Sequence, residues 1–152
     1  MNEEEKQWAL KYVARRMRTE QEVRLYLESK GGGPDDIDEV IAYLYSYGYL
    51  DDAAFVRAFV NDRILFHPCG RFLIDAKLKE KGVKRSVRER VLDEVFPLER
   101  EADLLHREYE KYRSRGKSRQ QALRHFYQKG FSSGLLYELA EDDAYDEQEW
   151  ED

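Results

Sequence analysis

Cysteine, histidine and proline are all scarce in this sequence, with one, three and three residues among 152. The single Cys69 cannot form a disulfide within the chain, which is typical of proteins from the reducing cytoplasm. His67, His106 and His125 are too scattered for a paired-histidine metal motif, and no second cysteine supports them. We therefore expect neither a disulfide framework nor a metal site, and an unreactive thiol at Cys69.

Long hydrophobic runs are absent as well. The first residues, MNEEEKQWALKY, contain neither the apolar core of a signal peptide nor a membrane-spanning segment. The expectation is a soluble, cytoplasmic protein with no membrane partner.

The motifs of the common catalytic sites are also missing. The glycine-rich stretch GGGP (Gly31 to Pro34) lacks the Gly-Lys-Ser/Thr ending of a phosphate-binding loop and fits the end of a helix followed by a turn. No serine lies in a strand-to-helix elbow of the hydrolase type. These absences favour a protein that is not an enzyme and uses no cofactor and no small-molecule substrate.

Two adjacent carboxylates, Asp51 and Asp52, are the candidate for acid–base or metal chemistry. Their position favours another role, because Asp51 falls where a helix should begin and its carboxylate can accept from the amides of the first turn. Both negative charges suit the positive end of a helix dipole, and Tyr49 and Leu50 are placed to pack on that turn. We interpret the pair as a helix start, with an enzyme that uses Asp51 and Asp52 as the alternative.

What the sequence does contain is charge and helical periodicity. Charged residues make up 38% and apolar residues 41%, a balance that suits amphipathic surface helices. Ile37, Val40, Ile41 and Leu44 follow the i, i+3, i+4, i+7 spacing of one helix face, and the alternation typical of strands is absent. The predicted fold class is all-α.

Three Lys-Gly pairs divide the chain into repeats. They are Lys30-Gly31, Lys81-Gly82 and Lys129-Gly130, separated by 51 and 48 residues. A glycine after a lysine suits the left-handed end of a helix, with the cation at the negative end of the dipole. Eleven positions before each lysine stand residues that are tolerated as helix N-caps: Thr19, Gly70 and Ser118. Glu22 and Gln121 complete capping boxes with Thr19 and Ser118.

A helix is expected before and after each of these capped helices. The last helix of each repeat is predicted to start at Pro34, at Ser86 in a capping box with Glu89, and at Ser132 or Ser133. The predicted repeats of three helices span residues 1–48, 49–97 and 98–140, followed by a flexible acidic tail at 141–152. Since a unit of this size buries little surface alone, we expect the repeats to stack into an elongated, curved body.

The net charge of −6 hides an uneven distribution. The last fifteen residues, ELAEDDAYDEQEWED, hold nine acids and no base, so the rest carries all 26 basic residues and 23 of the 32 acids. Within that rest, the stretch from Arg107 to Lys129 has eight Lys/Arg against two Glu, and aromatic residues lie between them. This pattern suits the binding of phosphates or of an acidic protein surface. The competing interpretation is a solvated helix face followed by a disordered end.

Several motifs resemble the RecX family of recombination regulators. They are RRMRTEQEVRLYLESKG, IDEVIAYLYSYGYLDDAAFVRAFVNDR, the Pro68-x-Gly70 element, LKEKGVKRSVRERVLDEVF and YQKGF. The resemblance covers roughly residues 8 to 140, and the GYLDD-x-x-F element (Gly48 to Phe55) followed by Arg63 is its most specific part. The resemblance implies three tandem three-helix units and a non-enzymatic regulator of DNA repair, recombination and the SOS response. The implied partner is the RecA recombinase filament on DNA, whose growth, ATP hydrolysis and strand exchange such a protein mostly inhibits from the filament groove.

The candidate partner-binding residues are cations of the second and third repeats. They are Arg57, Arg63, Arg71, Arg113, Arg115, Lys117, Arg119 and Arg124. After Gly70, where the resemblance leads us to expect several basic residues, RFLIDAKL supplies only Arg71 before Lys77. The middle repeat is therefore less basic at this helix than the family pattern.

Two further hypotheses stay open. The chain could bind DNA directly through the basic third repeat, or the acidic tail could screen that repeat's basic face until a partner displaces it. For each single cation the competing interpretation is an ordinary solvated side chain.

Overall fold

The computed structural model describes residues 1–151 and the side chains of residues 1–145. Within that part the chain is all-α, as predicted, and forms nine helices without a β-strand. The helices are α1 (Glu3–Arg15), α2 (Glu20–Ser29), α3 (Pro34–Ser46), α4 (Asp52–Phe66), α5 (Arg71–Glu80), α6 (Arg85–Val95), α7 (Leu98–Ser114), α8 (Arg119–Gln128) and α9 (Ser133–Glu151).

Most helix starts follow the predicted caps. Thr19 and Ser118 form complete capping boxes with Glu22 and Gln121, and Pro34 opens α3 as its first residue. Asp51 caps α4, since its carboxylate accepts from the backbone N–H of Ala54 at 3.1 Å. These predictions are confirmed because each depends on residues within one helical turn.

The predicted cap at Ser86 is wrong. Helix α6 begins at Arg85, and the amides of Val87 and Arg88 donate to the carbonyl of Lys84. The loop before α6 is bonded to the first turn of the helix, because Arg88 Nη1 donates to the carbonyl of the buried Val83 at 2.7 Å. Glu89 pairs with Arg85 at 2.7 Å instead of completing a capping box.

The predicted left-handed helix ends are confirmed at all three Lys-Gly pairs. Gly31, Gly82 and Gly130 have φ angles of 91°, 84° and 82°, which side-chain-bearing residues rarely adopt.

The helices form two compact units. Unit 1 comprises Met1–Ala58 and Leu78–Val91, and unit 2 comprises Phe59–Lys77 and the chain from Leu92 onwards. The three-repeat division at residues 48/49, 97/98 and 140/141 and the curved, elongated body stay predictions. Helix α9 continues past residue 140 to Glu151, so the start of the predicted flexible tail does not coincide with the end of a helix.

Unit 1 has an aliphatic core built from the predicted helix faces. Its buried cluster consists of Ala9, Val23, Leu27, Ile37, Val40, Ile41, Leu44 and Leu50. Thr19 adds a tertiary bond, because its hydroxyl donates to the carbonyl of Lys81 at 2.7 Å. Leu50 is buried in this cluster and Tyr49 is 53% exposed, and their packing on the first turn of α4 stays a prediction.

Unit 2 has a more aromatic core. The rings of Tyr109 and Phe131 lie 6.1 and 5.8 Å from the ring of Phe126, and all three residues are buried. A buried carboxylate joins its helices: Glu101 accepts from the backbone N–H of Arg71 at 2.8 Å and from the hydroxyl of Ser132 at 2.6 Å. Glu101 therefore holds the starts of α5 and α9 together.

The glycine of the Pro68-x-Gly70 element is required by a close approach of two backbones. Gly70 donates its N–H to the carbonyl of Lys129 at 2.8 Å. A Cβ at Gly70 would lie 2.2 Å from the carbonyl oxygen of Gly130 and 2.3 Å from Cα of Phe131. Only glycine fits here without moving backbone atoms.

Candidate partner-binding surface

The three candidate cations nearest the middle of the chain differ in their surroundings. Arg57 and Arg63 lie on α4 and are half-buried, and the Arg63 guanidinium lies 5.0 Å from the centre of the Phe59 ring. Arg71 is the first residue of α5, and its Nη2 pairs with Oδ1 of Asp93 at 2.7 Å. Arg71 therefore meets a carboxylate within its own unit.

Arg113 is held by two groups of its own unit. Its Nε lies 2.9 Å from Oδ2 of Asp143, and its Nη1 donates to the carbonyl of Lys117 at 2.7 Å. The hydroxyl of Tyr109 donates to the same Asp143 oxygen at 2.6 Å. Burial acts to raise the pKa of Asp143, but the bonds from Tyr109 and Arg113 outweigh it and hold that pKa below its ordinary value.

Asp143 belongs to the segment that the sequence assigned to a flexible acidic tail. Its contacts tie that part of α9 to α7. Screening of the basic face by the tail stays a hypothesis, although one carboxylate of the tail does neutralise one of the candidate cations. The tail's side chains from residue 146 onwards lie outside the described residues.

Arg115 lies in a cleft of unit 2 with a volume of about 280 Å³. Two further cations that the sequence did not single out, Lys111 and Lys129, line the same cleft, against one acid, Glu108. Lys111 Nζ lies 3.7 Å from Glu108 Oε1, which leaves the lining with a surplus of positive charge. We name this site the cationic cleft.

Aromatic rings form the wall of the cationic cleft. The rings of Tyr112 and His125 stack at 4.4 Å with an angle of 14°, and Phe126 meets Tyr112 edge-on at 5.5 Å. Phe66 is 70% exposed and lines the cleft beside His67. The cleft thus offers an apolar surface next to its cations.

The electrostatic field of the cleft is visible at His125. Burial, followed by the charges of Lys129, Arg115 and Lys117, lowers the pKa of its imidazole. The same positive charges favour an anionic ligand.

The loop between α4 and α5 brings one side of the cleft into place. Gly70 bonds to the carbonyl of Lys129, which sets the preceding His67 and Pro68 beside Lys129 in the lining. Phe66 and His67 could not have been found from the basic stretch, because they precede it by about forty residues. Lys111 and Lys129 belong to that stretch, so its concentration of positive charge could have identified them from the sequence.

The remaining candidates do not share this cleft's lining. Lys117 is exposed between α7 and α8, and Arg119 is the half-buried first residue of α8. Arg124 lies by a separate, more apolar cleft of about 280 Å³, with Tyr127 and Tyr137 in its lining. Of the eight predicted cations, Arg115 lines the cationic cleft, together with Lys111 and Lys129 from the same basic stretch.

The two adjacent carboxylates have structural roles, and the single thiol is buried. Asp51 caps α4, and the carboxylate of Asp52 accepts from the backbone N–H of Glu20 at 2.9 Å, at the start of α2. Cys69 is buried, and burial raises the pKa of its thiol. Among the described residues, no three histidine, cysteine or acidic side chains are grouped as metal ligands, and no helix has the length and apolarity to span a bilayer.

Comparisons with known proteins identify the family. Residues 6–44 match the model of the first three-helix domain of RecX, and residues 51–92 match that of the second. Together they cover more than half of the chain. The chain belongs to the RecX family. The first RecX domain contains α2 and α3, and the second contains α4 and α5.

Curated relatives of this RecX chain are named regulatory protein RecX. The one from Geobacillus sp. (strain WCH70) is 31% identical over 94% of this chain and 55% of its own length. Those from Geobacillus kaustophilus and Lactococcus lactis subsp. lactis are 37% and 33% identical over 62% and 70% of this chain and 37% and 40% of their own lengths. The chain thus spans about half or less of these relatives.

Two solved structures share the fold. A crystal structure of regulatory protein RecX matches with a TM-score of 0.76 and 25% identity, over 91% of this chain and 70% of the other. RecX from Lactobacillus salivarius matches with a TM-score of 0.75 and 22% identity, over 92% and 94% of the two chains.

Proposed function

We propose that this RecX chain binds the RecA recombinase filament on DNA in the cytoplasm and limits its growth, ATP hydrolysis and strand exchange, without catalysing a reaction. The observation that carries the proposal is membership of a family whose curated relatives are regulatory proteins. DNA repair and recombination are the processes that this activity would serve.

The cationic cleft supports a binding role. Lys111, Arg115 and Lys129 would set the rate and salt dependence of approach to an acidic surface, while Phe66 and Tyr112 would supply the apolar contact that sets affinity. A filament presents the same surface at every protomer, so a protein of repeated units gains from effective concentration once its first unit is bound.

The direct test follows RecA's DNA-dependent ATP hydrolysis while the chain is added at substoichiometric amounts. We expect the rate of hydrolysis to fall, and electron microscopy to show shorter filaments. An unchanged rate at every concentration would remove the proposal.

A pair of charge reversals tests the cleft within that assay. We expect Arg115→Glu/Lys129→Glu to weaken the inhibition at least about tenfold, because two of the three cations of the lining change sign. The matched control is Lys79→Glu/Arg90→Glu, which changes net charge equally at exposed positions outside the cleft. Equal losses in the two variants would assign the effect to overall charge and not to the cleft.

The positive surplus of the same cleft favours direct binding to DNA as a second candidate. It would appear as binding of a fluorescent oligonucleotide in the absence of RecA, with a steep loss of affinity as salt rises. Oligonucleotide binding that the cleft variant and the control variant lose equally would argue against it.

A further inference from the structure

A group of tyrosines forms an exposed surface in unit 1, away from any contact described above. Tyr43, Tyr45, Tyr47 and Tyr49 lie at the end of α3 and in the turn that follows it. Tyr47 is 66% exposed, Tyr49 53% and Tyr45 42%. The rings of Tyr43 and Tyr47 lie 4.7 Å apart and those of Tyr47 and Tyr49 lie 6.5 Å apart. We name these four residues the tyrosine ladder.

The ladder lies in the most acidic internal part of the sequence. Between Lys30 and Arg57 the chain has no basic residue and six acids, which are Asp35, Asp36, Asp38, Glu39, Asp51 and Asp52. The pKa of the Tyr45 phenol is raised, first by burial and then by nearby carboxylates. These are Asp52 and Glu20 through their charges, Glu20 also through a hydrogen bond, and Asp51 through its charge. The carboxylates of Asp51, Asp52 and Glu20 therefore act on Tyr45, and the negative charge of this stretch opposes the approach of a phosphate backbone.

One end of the ladder already binds a cation. Lys6 Nζ lies 4.3 Å from the centre of the Tyr43 ring, and elsewhere in unit 1 the Arg18 guanidinium lies 3.9 Å from the Tyr12 ring. In the part of the chain that the structure describes, no cation lies over Tyr47 or Tyr49. Their exposed faces leave room for a second cation beside Lys6.

We propose that the tyrosine ladder binds a lysine- or arginine-bearing segment of a protein partner, with the cation on the faces of Tyr47 and Tyr49 and beside Asp51. Aromatic faces attract cations through the ring quadrupole, most strongly where water is partly excluded. The neighbouring carboxylates supply the complementary charge. This inference does not depend on binding to RecA, since it concerns a different surface from the cationic cleft.

The test uses the full chain and a peptide of repeated Gly-Arg units, with a Gly-Gln peptide as the matched probe. Ring resonances of Tyr47 and Tyr49 are followed by NMR, after assignment through Tyr→Phe variants. We expect both to shift in a saturable way with the Gly-Arg peptide and to stay in place with the Gly-Gln peptide. Shifts confined to Tyr137 and Tyr145 of α9, whose acids also attract the peptide, would overturn the proposal.

Variants distinguish binding of a cation to the faces of the rings from general apolar contact. Tyr47→Leu/Tyr49→Leu should weaken the site about tenfold, while Tyr47→Phe/Tyr49→Phe keeps the rings and should stay within about threefold of the parent. Tyr127→Leu, at an exposed tyrosine of unit 2, is the matched control and should change nothing. Peptide binding that survives the leucine variant would overturn the proposal.

The contribution of negative charge to peptide binding is tested by a substitution at Asp51. Asp51→Asn retains an oxygen that can cap α4 and removes the negative charge, so binding should weaken about threefold while the melting temperature stays near that of the parent. Saturable shifts of Tyr47 and Tyr49 with an oligothymidine in place of the peptide would contradict the assignment to a basic protein segment.

Discussion

The tyrosine ladder of unit 1 and the cationic cleft of unit 2 use the same kind of side chain in opposite electrostatic settings. The ladder lies in a stretch of six acids without a base, whereas the cleft is lined by three cations and one acid. In the ladder the rings are tyrosines at the end of α3 and in the turn after it, and in the cleft the rings come from α7, α8 and the end of α4 with the loop that follows. Helical units of one family can thus surround their aromatic residues with charge of opposite sign.

Each unit also contains a carboxylate that caps a helix distant in sequence. Asp52 accepts from the first amide of α2 in unit 1, and Glu101 accepts from the first amide of α5 in unit 2. Glu101 is 1% exposed, whereas Asp52 is half-buried. The difference in burial predicts that the same substitution costs more in unit 2.

The largest effect is expected for Gly70→Ala. The added Cβ would meet the backbone of Gly130 at 2.2 Å, so the α4–α5 loop must move, at a cost of about 3 kcal/mol in the free energy of unfolding. The measurement is urea unfolding followed by circular dichroism. Gly134→Ala, where a Cβ meets nothing within 4 Å, is the control and should not destabilise the chain.

Gly70→Ala should also weaken the binding of anions at the cationic cleft. Because Gly70 holds His67 and Pro68 beside Lys129, Gly70→Ala should disrupt the cationic cleft and leave the peptide-induced shifts of Tyr47 unchanged. Loss of both sites would mean that the variant is globally unfolded, which the unfolding curve would reveal.

Glu101→Ala should come next, at about 2 kcal/mol, because it leaves the amide of Arg71 and the hydroxyl of Ser132 without their acceptor. Asp52→Ala should cost about 1 kcal/mol, since its site is partly solvated. Thermal unfolding compares the two with Glu99→Ala, an exposed acid on the same helix as Glu101. Equal losses at Glu101 and Asp52 would contradict the role given to burial.

Asp143→Asn should cost about 1 kcal/mol at pH 7, because it removes the charged acceptor of Tyr109 and Arg113. The pKa of Asp143 is lowered in the folded chain, so its contribution is complete above the ordinary value of 3.8 and is lost as pH falls through the lower, folded value. The free energies of unfolding of the parent and the variant, measured in urea, should therefore converge as pH falls below that folded value. A difference that persists there would contradict the assignment.

The smallest effect is expected at His125. Its pKa should lie below the ordinary 6.5, and Lys129→Ala should raise it by a few tenths of a unit, since Lys129 is the largest charge acting on it. NMR titration of the imidazole ring measures both values. Lys79→Ala, outside the cleft, is the control, and an equal rise in that variant would show that the cleft's field is not local.

The sequence predicted the local features of the fold well. Thr19, Ser118 and Asp51 cap their helices as expected, and the three Lys-Gly pairs end theirs. The prediction failed at Ser86, because α6 begins one residue earlier, at Arg85, and Glu89 pairs with Arg85.

The candidate surface was predicted less well than the fold. The basic stretch pointed to the right region, but it did not distinguish Arg115, which lines the cationic cleft, from Arg113, which pairs with Asp143. Nothing in the local sequence marks this difference. The partner of Arg113 lies thirty residues away and on another helix.

The sequence by itself determined the helices, their caps and the family, because periodicity, capping and motifs are properties of neighbouring residues. The tertiary structure alone decided that Glu101 and Asp52 cap distant helices, that Gly70 must be a glycine, and which cations share a cleft with aromatic rings. The physical reason is that burial and charge act through space, so a side chain's role is set by residues that meet it only after the helices have packed.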